Sequence, residues 1–240
     1  MLPPFRQSSM SFDVFHLSPV ESQALLLSLK VAACATLCSL PPAILCAYLL
    51  ARGRFWGHAV LNVLVVLPLV LPPVVTGYVL LLTFGKYGPL GQLLAACCGL
   101  SVSFRWTGAA LAAGIMSFPL MVRSIRLSFE AVDPRLEQAA ASLGADRLRV
   151  FCFVTLPLAW PGLCAAVVLG MAKALGEFGA TIAFVANIPG ETQTLSLALY
   201  SELQVPNGEP AALRLMILSI ILATGAIALA EFLARKGRAG

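Results

Sequence analysis

A chain of 240 residues with a mean hydropathy of +0.90, 59% hydrophobic residues and only 11% charged ones is not a soluble globular domain, since such domains carry about 25% charged residues. One soluble core of this length could not hide so much apolar surface, whereas a bilayer could. The formal charge of +5 would suit a nucleic-acid surface, but the basic residues stand at the ends of apolar runs, so the charge reads as topology and no nucleic acid is expected as a partner.

The first residues mix Pro, Arg, Ser and Asp, without the apolar core and cleavage region of a signal peptide. A helix needs about 20 apolar residues to cross the hydrocarbon. No residue between Lys30 and Arg52 is charged, and this run with a few residues before it is the first expected span. The second runs from Ala59 to Gly85. The third, Trp106 to Val122, is a little short, with Arg105 and Arg123 at its ends able to snorkel. The fourth runs from about Leu158 to Phe184 and the fifth from about Leu215 to Leu233. All are expected to be helices, because lipid cannot satisfy an open strand edge. Prolines 41, 42, 68, 72, 73 and 119 fall inside spans one to three and predict kinks. The segment from Tyr87 to Phe104 is uncharged, but glycines and a proline flank its short apolar centre. It reads as a partly buried outer connection.

Five spans put Arg52, Arg54, Arg123, Arg126, Arg135, Arg147, Arg149, Arg235, Lys236 and Arg238 on one side. Arg6, Lys86 and Arg105 fall on the other, with Lys30 and Arg214 near span ends there. A sixth span would scatter the basic segments over both faces. The basic side is expected to be cytoplasmic, with the amino end outside and the carboxyl end inside.

The long connection between spans three and four carries the clearest local pattern. Asp133 followed by Pro134 is a helix start. Leu136, Ala139, Ala140 and Leu143 then repeat at three and four residues as one apolar stripe, with Arg135, Glu137 and Gln138 off it. Gly144 interrupts, Asp146 can cap a second short helix, and Leu156 and Pro157 close the segment. Physics alone leaves two readings: an amphipathic segment resting on lipid, or a docking surface for a cytoplasmic partner.

Lys173 and Glu177 are four apart in span four and predict a pair on one helix face. Such a pair either pins helix packing or lines a pathway. Pro72, Pro73 and Thr76 mark either a kinked packing helix or one that lines a pathway and bends. The seven cysteines sit mostly in apolar runs. With only His16 and His58 as histidines, no metal site or disulfide framework is expected. No catalytic residue is named, because no Ser–His, Ser–Lys or Asp–Asp arrangement suggests an intramembrane enzyme.

Glu137, Gln138, Ala139, Ala140, Gly144, Leu156 and Pro157 together resemble the EAA loop of ABC importer permeases, with Gln138 where that family has Glu. Three longer blocks, Leu67–Gly91, Ser117–Asp133 and Ala174–Tyr200, resemble the molybdate branch of that family, and the likeness extends from about Leu25 to Leu233. The resemblance implies an all-α polytopic membrane protein of about five transmembrane helices. It implies one permease domain over 1–240, with a cytoplasmic helix–turn–helix coupling loop at 133–157. It also implies a second permease copy and a cytoplasmic ATPase dimer that carries the ATP and Mg, this chain binding no cofactor. A periplasmic or extracellular molybdate-binding protein would deliver the anion, with tungstate as a probable co-substrate. The expected location is the cytoplasmic (inner) membrane. In agreement, the chain has no Gly-rich phosphate loop followed by Lys and Ser or Thr. A sulfate or thiosulfate importer permease is the nearest rival. A secondary transporter is disfavoured by the lack of a paired inverted repeat.

Overall fold

The computed structural model describes residues 18–53, 55–99 and 102–236. Arg6, His16, Arg54 and Arg238 lie outside the described residues, as do the side chains of Arg235 and Lys236. Every regular element described is helical.

Helix α1 (Pro19–Arg52) is 34 residues long and begins before the expected span. Its start is a capping box: Ser18 Oγ accepts from the Glu21 amide while Glu21 Oε2 accepts from the Ser18 amide, with Pro19 at the first helical position. Pro41 and Pro42 do not break it. Ala32, Ala35, Ala43 and Ala47 form a buried small-residue seam along α1, and Ala109, Ala112 and Ala113 form its counterpart on α5 (Trp106–Ala131). Without bulky side chains between them the two backbones approach closely, which is how helices associate where lipid supplies no hydrophobic drive.

Span two is not one helix. It is α2 (His58–Val70) and α3 (Pro73–Phe84), bent by 113°. Pro72 and Pro73 have no amide hydrogens and force the residues before them out of the helical region. Pro68 alone does not break α2, nor does Pro119 break α5. The outer connection holds a short helix, α4 (Pro89–Cys98), of 10 residues. That is about 15 Å, too short to cross, and the connection is partly buried as expected, with Gly88 and Ser103 covered, Gly91 and Leu94 half-buried and most of α4 exposed. Helix α5 continues past Arg123 and Arg126 to Ala131, so the connection to span four starts nine residues later than the charges suggested. Arg126 is accommodated by Glu130 at 2.7 Å and Asn62 at 3.3 Å.

The loop contains α6 (Pro134–Ser142) and α7 (Arg147–Val150), then a wide helical turn over Phe151–Thr155 and α8 (Leu156–Leu158). Span four is α9 (Trp160–Leu175), bent by 69° from the segment before it, and α10 (Gly179–Val185). Helices α11 (Leu195–Gln204) and α12 (Glu209–Lys236) complete the chain. The three unbroken long helices are α1, α5 and α12, and five crossings result if each bent pair counts as one.

Contacts at the two ends of the bundle support that count. At one end Glu21 meets Arg214 at 3.0 Å, Lys30 stacks on the Trp106 ring at 3.7 Å, and the Leu195 amide donates to Ser28 Oγ at 2.6 Å. The starts of α1, α5, α11 and α12 therefore share a side. At the other end Arg52 donates to Val132 O at 2.8 Å, joining the ends of α1 and α5 beside α6. The chain must cross an odd number of times between Arg52 and Trp106. The bent α2–α3 pair, counted as one span, supplies that crossing, which gives up to five among the described residues.

Candidate coupling loop and broken spans

Each sequence-predicted loop feature has a defined place. Asp133 caps α6 by accepting from the Arg135 amide at 2.9 Å, and Asp146 caps α7 by accepting from the Arg149 amide at 2.9 Å. Gly144 has φ +88°, a conformation glycine adopts without the Cβ penalty. A Cβ built there meets nothing within 4 Å, so the constraint at this position is backbone conformation and not space.

The apolar stripe does not fold back on the body. Leu136 is 49% exposed and Leu143 89% exposed, Ala139 is exposed, and Ala140 is half-buried. Gln138 is exposed beside them. Glu137 points the other way. Its Oε1 accepts from Thr155 Oγ1 at 2.8 Å and from Arg52 Nη2 at 3.2 Å. Local spacing puts Glu137 only off the apolar stripe. Its role as an anchor required knowing that Arg52, 85 residues away, ends beside it. Leu156 and Pro157 form the entry into span four, and Thr155 just before them is fully buried.

Between α1 and the loop is a groove of about 860 Å³ with Ile44, Tyr48, Leu49 and Phe151 among its apolar lining residues. Tyr48 makes edge contacts with Phe129 and Phe151, ring centroids 5.8 and 4.8 Å apart, which clamp the loop's exit to α1 and α5.

Lys173 and Glu177 meet, but not on one helix face as their spacing implied. Helix α9 ends at Leu175, and Glu177 lies beyond it. Lys173 Nζ donates to Glu177 Oε2 at 2.7 Å, while Glu177 Oε1 accepts from the Ala180 amide at 3.0 Å. The carboxylate, 2% exposed, thus joins the end of α9 to the first turn of α10 across the break. A negative charge suits the amide end of a helix.

The two breaks touch. A Cβ on Gly179 would lie 2.7 Å from Pro73 Cβ, and one on Gly77 2.8 Å from Ala183 Cβ. Only glycine permits α3 and α10 to pack this closely. Pro72 and Pro73 begin α3, while Thr76 is buried and its hydroxyl has no partner among the described residues. Tyr78 on the same helix is 57% exposed.

The family described as binding-protein-dependent transport system inner membrane component matches residues 43–239. The molybdenum transport system permease protein ModB of Escherichia coli K12 is 54% identical over 222 residues, 92% of this chain and 97% of that protein. ModB of Haemophilus influenzae is 51% identical over 90% of this chain and 95% of its own length. The sulfate transport system permease protein CysT of E. coli is 36% identical over 82% of this chain and 70% of its own. Among solved structures, a bacterial ABC transporter for alginate import aligns with a TM-score of 0.72 at 17% identity, covering 98% of this chain and 85% of that one. The MetNI methionine transporter aligns with a TM-score of 0.66 at 16% identity, covering 92% of this chain and 99% of that one.

Proposed function

The chain belongs to the family of binding-protein-dependent transport system inner membrane components, and from that premise we infer that it is the transmembrane permease subunit of a molybdate-transporting ABC importer. It is a multi-pass membrane protein with a transport role, not an enzyme. The observation that carries the substrate class is 54% identity to a molybdenum permease along nearly the whole of both chains. Identity to the sulfate permease is lower, 36%.

Two copies flank the pathway, and a separate ATPase dimer docks beneath them on the 133–157 loops. Support for docking comes from Ala139 and Leu143, apolar and uncovered on a capped, bent helical segment that projects from the bundle. A periplasmic molybdate-binding protein presents the anion at the opposite end, where α4 and the α10–α11 connection lie. Helices α3 and α10, locked together at Gly77 and Gly179, form an outer half that tilts on the Pro72–Pro73 and Gly176–Phe178 breaks. Such discontinuities at membrane depth are tolerated where the backbone is buried in protein or lines a cavity.

The loop end of the bundle carries Arg52, Arg126, Arg135, Arg147 and Arg149, so it faces the cytoplasm and the chain's amino end lies outside. In a cysteine-free background, impermeant thiol labelling of intact cells is expected to reach Pro206→Cys and Ala95→Cys and to miss Ala145→Cys. The opposite pattern reverses the orientation.

Deleting the gene in a host with no other uptake route is expected to abolish molybdoenzyme activity at trace molybdate, and excess molybdate should restore it. Full activity at trace molybdate would refute the assignment. Vesicle uptake of molybdate in competition with tungstate and sulfate separates the readings, with tungstate competing and sulfate not.

A further inference from the structure

We propose that the Arg52–Glu137 ion pair is the positioning element through which the docked loop moves α1, and that Glu137 serves this internal contact rather than the ATPase. The inference rests on the importer reading above.

Glu137 and Ala139 are two residues apart on α6, about 200° around the helix axis. A partner seated on exposed Ala139 and Leu143 therefore lies on the far side from Glu137. The Glu137 carboxylate instead meets the protein's own groups at the wall of the groove between α1 and the loop, the pair's side chains being 20% and 19% exposed. Arg52 Nη2 donates both to Glu137 Oε1 at 3.2 Å and to Val132 O at 2.8 Å, and Thr155 Oγ1 donates to the same carboxylate oxygen at 2.8 Å. One cluster thus ties the last residue of α1, the residue after α5, the middle of α6 and the segment entering α9.

Position makes the cluster a transmitter. Arg52 ends α1, with Gly53 directly after it, so it is the last rigid point on a helix of 34 residues. That helix spans about 50 Å, and its other end is tied to α12 by Glu21 and Arg214. A displacement of α6 at the ATPase therefore reaches the outer end of the bundle along one rod. The guanidinium also has an unused donor. Arg52 Nε is buried without a partner among the described residues. A rotated guanidinium that engages Nε as well would keep the pair while α6 shifts, which a saturated contact would resist.

The test uses the assembled importer, permease with its ATPase, in proteoliposomes with the molybdate-loaded binding protein. Variants are Arg52→Met, Glu137→Gln, and the double exchange Arg52→Glu with Glu137→Arg. Co-purified ATPase should stay at the wild-type level in all three, because the docking face is untouched. Molybdate moved per ATP hydrolysed should fall about tenfold in Arg52→Met, the scale of an ordinary inter-site coupling. It should fall less in Glu137→Gln, which keeps an acceptor for Thr155, and recover in part in the double exchange. Wild-type ratios in both single variants at normal complex yield overturn the coupling role. Loss of complex in Glu137→Gln as well makes the pair a folding staple and also overturns it. A wild-type assembly whose ATP hydrolysis ignores the loaded binding protein sinks the importer reading itself, an outcome distinct from unchanged variants in a responsive wild type.

Discussion

Leu143→Glu should abolish uptake while leaving the permease folded and inserted. Leu143 is 89% exposed and contributes nothing to the core, and substitutions at such positions usually change stability by less than about 0.5 kcal/mol. Against a docked ATPase the same carboxylate must be desolvated without a partner. A cost of about 3 kcal/mol weakens association about a hundredfold. Ala140→Glu should act in the same direction, with some cost to the permease because Ala140 is half-buried. Gly144 provides the matching backbone test. At φ +88°, Gly144→Val introduces strain of about 2 kcal/mol and redirects α7. Gly144→Asn should be mild, since Asn tolerates this region best among side-chain-bearing residues. Gln138→Ala is expected to be milder still. Co-purification of tagged ATPase followed by vesicle uptake measures each. Normal complex yield and uptake for Leu143→Glu and Gly144→Val would return the loop to a segment resting on lipid.

Glu177→Ala should destabilise the permease by about 3 kcal/mol, the scale for removing one partner of a buried pair. The carboxylate is 2% exposed and both its oxygens are used, so its loss leaves the Ala180 amide unpaired at a helix break and removes the partner of Lys173. Glu177→Gln keeps an acceptor for Ala180 and should fall between wild type and Ala. Lys173 is 30% exposed and can reach water when unpaired. Lys173→Met instead leaves the buried Glu177 carboxylate with the Ala180 amide alone, so it should lose stability as well. If the pair only pins the break, detergent-solubilised Lys173→Met will transport normally after reconstitution, and the apparent melting temperature will drop in the Lys173 and Glu177 variants alike. Normal stability of Glu177→Ala combined with loss of uptake in Lys173→Met would move the pair from packing to pathway.

Several elements were legible because their determinants are local. The Asp133–Pro134 and Asp146 caps, the Gly144 turn and the uncharged runs each depend on a few adjacent residues. The start of α1 is equally local: Ser18, Pro19 and Glu21 spell a capping box, which lies ahead of the charge-free run after Lys30. Lys30 itself sits inside the helix because the face of Trp106 receives its ammonium. Arg123 and Arg126 do not end the helix: α5 runs on to Ala131. A charged residue ends a span only if nothing nearby accommodates it, and Asn62 from a different helix was not visible in the local pattern.

What the amino-acid sequence determined by itself is the membrane class, the positions of the apolar runs, and the capped, bent loop between spans three and four. These follow from run length and from hydrogen bonds closed within a few residues. What only the tertiary structure decided is which prolines break a helix, how the broken halves meet, and which face of α6 is free. Six prolines looked alike in one dimension, yet only Pro72–Pro73 divides a helix into two. Gly77 and Gly179 let α3 settle onto α10 there, and packing at that contact outweighs the backbone bonds lost. The fate of Glu137 was likewise decided at a distance, because its partners Arg52 and Thr155 lie on other elements and are brought to it only when α1 packs along α5.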